Sequence, residues 1–161
     1  MSAIKNKFTL NIILIFNTFA LITAYFIQYA LDHKPCNLCL IERIPYIASI
    51  ILISLIFILN KYEKLISLIV GLFFIFGAII SFYHFGIEQG FFNESLVCDL
   101  GNSIKATSAQ DLLKQLEKET VSCKDVTFKV LGLSLATFNT IISITISAIM
   151  LEIVINYGKN K

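Results

Sequence analysis

The sequence predicts an all-α membrane protein: a four-helix transmembrane bundle with a long outer loop between helices three and four. Three observations carry this reading. The 161 residues are 57% hydrophobic and only 15% charged, whereas soluble domains sit near about 45–50% and about 25%. Mean hydropathy is +0.79. The apolar residues also come in long runs rather than amphipathic stripes, so lipid is the expected solvent. The length suits one domain, 1–161.

A spanning helix needs roughly 20 apolar residues. Four segments qualify, at about 8–31, 41–59, 65–85 and 130–155. Backbone groups in hydrocarbon must bond internally, which makes these helices. The first span follows Lys5 and Lys7, as a signal peptide would. Its apolar run is too long for a signal core, and Asp32-His33-Lys34-Pro35 is not a small-residue cleavage site. It reads as an uncleaved anchor.

Orientation follows from short basic segments. Lys5 and Lys7 precede span one, Lys61 and Lys64 join spans two and three, and Lys159 and Lys161 follow span four. Both termini are therefore expected in the cytosol. Cys36, Cys39, Cys98 and Cys123 then all lie on the outer side, where disulfides persist.

The long loop, about 86–129, contains the turn-like Gly101-Asn102-Ser103. Ser108-Ala109-Gln110-Asp111 has capping-box spacing with Asp for Glu. Leu112, Leu113 and Leu116 then share one side of a short helix. It packs on the domain itself or lies on the membrane interface; both readings stand. A net charge of +2 without a basic stripe gives no support for nucleic-acid binding.

Cys36-Asn37-Leu38-Cys39 is a CxxC at the start of span two, where unpaired N–H groups favour a thiolate. Alone, such a pair is redox-active, zinc-binding or fortuitous. Arg43 lies four residues beyond Cys39, on the same face of a regular helix. It either snorkels to the headgroups or stabilises charge on the Cys39 thiolate or an electron acceptor, and beside a CxxC we favour the second. Glu42 pairs with Arg43 or faces water, with water favoured. Pro45 removes an N–H and frees the Ile41 carbonyl, kinking the helix; either a crevice opens there, or the kink is merely tolerated.

Cys98 and Cys123 form a second pair. A structural disulfide is the plain reading, and an exposed loop disulfide open to another protein's thiolate is the sharper one. A four-cysteine zinc site is disfavoured, because the outer compartment oxidises thiols and no His stands at ligand spacing to a Cys, the His33–Cys36 spacing being unusual for a zinc pair; no metal is expected. His84, near the outer end of span three, is either a satisfied interhelical residue or a group at the depth of Cys39 and Arg43.

Together these residues resemble the disulfide bond formation protein B (DsbB) family. Pro35-Cys36-Asn37-Leu38-Cys39-Leu40-Ile41-Glu42-Arg43 is similar to its P-C-x-x-C-x-x-[EQ]-R motif. Tyr83-His84-Phe85-Gly86-Ile87-Glu88 resembles a second family segment, and Leu131-Gly132-Leu133-Ser134-Leu135-Ala136 with Asn139 a third. The resemblance covers nearly the whole chain except the loop between Cys98 and Cys123. It implies an enzyme of the bacterial inner membrane that reoxidises a periplasmic DsbA-like thioredoxin-fold partner and passes the electrons to ubiquinone or menaquinone. It further implies that Cys98 pairs with Cys123 at rest and is attacked by the partner. Cys36 would exchange with Cys123, and Cys39 would reduce the quinone, helped by Arg43 and His84. Three alternatives remain: an assembly protein stapled by two disulfides, a vitamin K epoxide reductase-type enzyme, and a relative dedicated to one secreted substrate. In the second of these the CxxC usually comes late in the bundle, whereas here it opens span two.

Overall fold

The computed structural model describes residues 2–59, 62–93, 98, 122–124, 129–130 and 133–159, with 2–5, 129–130 and 157–159 in backbone only. Five helices carry the described chain: α1 Ser2–Ala30, α2 Asn37–Ile41, α3 Ile44–Leu59, α4 Glu63–Glu88 and α5 Leu135–Lys159. Four stretches are long and apolar enough to cross a membrane: Asn6–Ala30, Asn37–Leu59, Glu63–Glu88 and Leu135–Asn156. The four expected spans are all present. The expected loop helix at 108–116 lies outside the described residues.

Side chains such as Phe19, Ile58 and Phe82 stand more than half exposed on the outside of the bundle. In water that surface would be costly, and in lipid it is matched to its solvent. α4 is the central helix. It packs most extensively on α5 and also on α3, while α1 packs on α3. Phe74 and Val70 of α4 meet Ile53 and Ile56 of α3 and Met150 of α5 in the core. Tyr46 sets its ring edge-on to Phe74, with centroids 5.4 Å apart.

One boundary differs from expectation. The run beginning at 130 does not start as a helix. Lys129–Val130 pairs antiparallel with Leu133–Ser134, and α5 starts only at Leu135. Ser134 caps it, its Oγ accepting from the Thr137 N–H at 3.3 Å. The hydropathy of that run conceals the cap. The kink expected at Pro45 is present as a break in span two, between α2 and α3. The Arg43 N–H bonds to the Leu40 carbonyl at 3.2 Å, a tightened turn just before Pro45. The proline is buried against α4, where a Cβ added to Gly77 would lie 2.9 Å from Pro45 Cγ. α3 and α4 therefore cross at near-backbone distance, as small residues permit in membranes.

α4 ends in a left-handed Gly90, φ 77°, with the Phe91 N–H on the Gly86 carbonyl at 2.8 Å. This folds Phe92 back over Gly86, where any Cβ would overlap the Phe92 ring. Phe92 also stacks on Tyr83 at 5.5 Å, and the Tyr83 hydroxyl donates to the Asn93 carbonyl at 3.1 Å. The chain leading to Cys98 is thus tied down at its start.

Gly77→Leu should force α3 from α4 and destabilise the chain by about 1–3 kcal/mol. Thermal unfolding in detergent, followed by circular dichroism, checks this; an unchanged midpoint would refute the close crossing.

Candidate functional site

Cys36 is the N-cap of α2. Its backbone is extended, at φ −70° and ψ 168°, and its Sγ accepts from the Cys39 N–H at 3.2 Å. The expected placement of the pair at a helix start therefore holds. Both thiols are free, Cys36 buried and Cys39 half-buried. The break at Glu42–Arg43 then sends consecutive side chains in different directions.

Glu42 turns inward. It is 8% exposed, so the expectation that it faces water is corrected. The tightened turn aims it between α4 and α5 instead. Its Oε1 lies 2.8 Å from His84 Nδ1, and its Oε2 accepts from Asn139 Nδ2 at 2.8 Å. Asn139 also donates to Ser81 Oγ at 3.0 Å and accepts from the Tyr46 hydroxyl at 2.5 Å. One carboxylate thus joins the α2–α3 junction, α4 and α5.

His84, fixed by Glu42 on one nitrogen, presents Nε2 to Cys36 Sγ at 3.6 Å and to Glu88 Oε1 at 3.7 Å. Cys36, Cys39 and His84 offer three donor atoms within 4.8 Å of one another. The Cys36 thiol is held well below the usual thiol range, at about 5. The hydrogen bond from the Cys39 thiol is the main cause; burial opposes it, and His84 and the Cys39 amide reinforce it.

Arg43 turns outward, toward α1. It donates to Gln28 Oε1 at 2.7 Å and sits 4.9 Å from the Tyr25 ring centre. The expected stacking of Arg43 over Cys39 on one helix face is therefore replaced by a cavity that both line. This cavity, about 360 Å³, lies between α1 and α5. Phe16, Phe19, Ile27 and Phe138 make its walls apolar, and Cys39, Arg43, Glu42 and Asn139 also line it. His84 is not among its lining residues.

Cys98 and Cys123 are joined as a disulfide. They are 5% and 1% exposed, not presented to solvent as the exchanging-loop reading expected. Both pack in one apolar cluster with Cys36, Leu38 and Ile87. Burying them there brings the two cysteine pairs to one place. Glu42 entered the sequence reading as a solvated charge, a partner of Arg43 and a position of the family motif, and Asn139 only as part of a resemblance. Gln28 gave no signal at all, being one of several scattered polar residues in an apolar span.

The family model described as disulfide bond formation protein DsbB matches residues 6–153. An uncharacterized protein of Rickettsia prowazekii (strain Madrid E) is 33% identical, over 94% of this chain and 89% of its own length. No solved structure matches.

With Cys98 and Cys123 replaced by Ser, alkylation of reduced Cys36 should persist into acid. It should fail only as pH drops through about 5, because the reactive thiolate exists above that value. His84→Gln should shift the loss to higher pH. Peptide mass spectrometry of alkylated Cys36 measures both, and coincident profiles would remove His84 as a thiolate partner.

Proposed function

This chain belongs to the disulfide bond formation protein DsbB family, and on that premise we propose that it reoxidises a thioredoxin-fold protein dithiol and delivers the electrons to a membrane quinone. The observation that carries the proposal is the position of Cys39. It belongs to a dithiol beside Cys36, in the cluster of the loop disulfide, and also lines an apolar cavity with a guanidinium.

The cavity suits a flat ring with an isoprenoid tail. Its volume falls within the usual range for ligand sites, and its walls are apolar. Cys39 and Arg43 would hold the ring, Gln28 and Tyr25 fixing the guanidinium. A quinone bound there accepts two electrons and two protons. The residues do the rest. A partner thiolate attacks Cys98, releasing the Cys123 thiolate and forming a mixed disulfide that the partner's second thiol resolves. Cys123 then attacks Cys36 of an oxidised Cys36–Cys39 pair, and the Cys98 thiolate closes the loop disulfide. This leaves the Cys36–Cys39 dithiol seen in the structure. Each exchange breaks one S–S bond and makes one. His84 beside Cys36 stabilises its thiolate, and with Glu42 it completes the polar side of the site. The outer membrane-water boundary, both termini cytosolic, is the setting this chemistry requires.

One observation favours a second reading for the loop pair alone: its burial suits a structural staple. An exchanging role requires the loop to open toward the partner.

The deciding experiment supplies purified chain with a reduced DsbA-type protein and a ubiquinone or menaquinone analogue, and follows quinol. Sustained quinol formation is expected, and its absence with either quinone would reject the proposal. Cys39→Ser should abolish quinol formation while the loop disulfide still oxidises one equivalent of partner. Arg43→Ala should raise KM for quinone roughly tenfold, about 1.4 kcal/mol, with little change for the protein dithiol. An unchanged quinone KM would assign Arg43 to the headgroup boundary. If Cys98→Ser leaves partner turnover intact, the loop pair is a staple.

A further inference from the structure

We propose that the reduced Cys36–Cys39 pair, with His84, forms a binding site for a thiophilic divalent cation, Zn²⁺ in the first instance, that holds the pair in its reduced state. The three donor atoms lie within 4.8 Å of one another, close to the spread that ligands of a single tetrahedral ion adopt. Two thiolates and an imidazole are the donor set that zinc prefers over harder cations.

The surroundings point the same way. Glu42 Oε1 lies 2.8 Å from His84 Nδ1. With the imidazole neutral and its proton on Nδ1, Nε2, 3.6 Å from Cys36 Sγ, would take a cation in place of the proton it otherwise shares with the Cys36 thiolate. A carboxylate behind a ligating histidine is the usual second partner of a zinc-bound imidazole. Glu88 adds an independent sign. Its side chain is 6% exposed, and Oε1 lies 3.7 Å from Nε2. Its Oε2 has no hydrogen-bond partner among the described residues. A buried carboxylate with a spare oxygen beside His84, itself against Cys36, makes the place electronegative, and a divalent cation relieves that. Arg43 does not compensate there, since its guanidinium is held on Gln28 and Tyr25. Three protein ligands leave a fourth position for water or Glu88. Cys39, which lines the cavity, marks the route in.

The step moves no electrons. Two thiols lose two protons, two S–Zn bonds form, and the protons leave to solvent. The ion binds the dithiol and not the disulfide, so by linkage it makes the pair harder to oxidise. Zinc on the outer side would thus stall the enzyme reversibly after the pair has been reduced. The site itself does not depend on the quinone reading, because it requires only the reduced pair.

Co²⁺ added to the purified, reduced, quinone-free full chain tests this by absorption. Thiolate-to-cobalt charge-transfer and tetrahedral ligand-field bands should appear at one equivalent and vanish on adding Zn²⁺. They should be absent from the oxidised chain and lost in Cys36→Ser. They should persist in Cys98→Ser/Cys123→Ser. His84→Gln and Glu42→Gln should each weaken binding by roughly 10–100-fold. No bands in the reduced chain would overturn the proposal. So would bands unchanged in both His84→Gln and Glu42→Gln, or bands lost with the loop pair. None of these readouts involves turnover, so a failed quinone assay leaves them standing.

Discussion

A carboxylate buried at the lipid boundary is the constraint on which the rest of the structure turns. Glu42 is 8% exposed, and burying such a charge is expensive unless it is fully partnered. His84 supplies one partner and Asn139 the other. They come from α4 and α5, so the α2–α3 junction, α4 and α5 must meet at a single depth. Buried ionic contacts add little net stability, but they penalise every arrangement that leaves the charge alone. A helix slid by one turn would strand Glu42. Asn139 extends the constraint to Ser81 and Tyr46, and Tyr46 in turn packs on Phe74 in the apolar core.

The same constraint gives the two cysteines different surroundings. Glu42 holds His84 against Cys36, so Cys36 faces an imidazole and the cluster containing the loop disulfide. Cys39 faces the cavity between α1 and α5. A regular helix through 36–59 would align Cys39 with Arg43 and turn Glu42 toward a neighbouring face. The break before Pro45 separates them, sending Glu42 inward and Arg43 to Gln28. Polarity along the pair, one sulfur toward the loop disulfide and one toward the cavity, accompanies this break before Pro45.

Much of this was legible in the letters. Long apolar runs place four spans, because hydrocarbon leaves the backbone few alternatives. The CxxC, Arg43 and the outer pair stand out because charges and thiols are sparse among aliphatic residues. What stayed hidden depends on distance in space. Asn139 lies 97 residues from Glu42, and nothing local to either predicts the bond. Zinc was disfavoured because the outer compartment oxidises thiols and no His stands at ligand spacing to a Cys, yet His84 reaches Cys36 across 48 residues. Ligand spacing along a chain describes loops well and helix bundles poorly. The start of α5 was misplaced because Ser134, a cap, sits inside an apolar run. The burial of Cys98 and Cys123 reverses what polar flanking sequence suggested, since flanking composition is blind to what the two cysteines pack against.

A second buried polar pair shows why the Glu42 cluster is more than a packing device. Asn17 of α1 donates to Ser49 of α3 at 2.6 Å, and Ser49 donates to the Tyr46 carbonyl at 2.7 Å. Asn17 and Ser49 are both fully buried. They tie α1 to α3 as interhelical hydrogen bonds commonly do in membranes. Neither of their side chains titrates, and neither lines the cavity. Were orientation of helices the sole demand at the Glu42 end of the bundle, another neutral pair would meet it at a lower desolvation cost. Instead that end carries a glutamate, a histidine, a second buried glutamate and a dithiol, of which Glu42 and Cys39 line an apolar cavity. Groups that gain and lose protons are costly in such a place, and they are justified where protons and electrons must leave a thiol together.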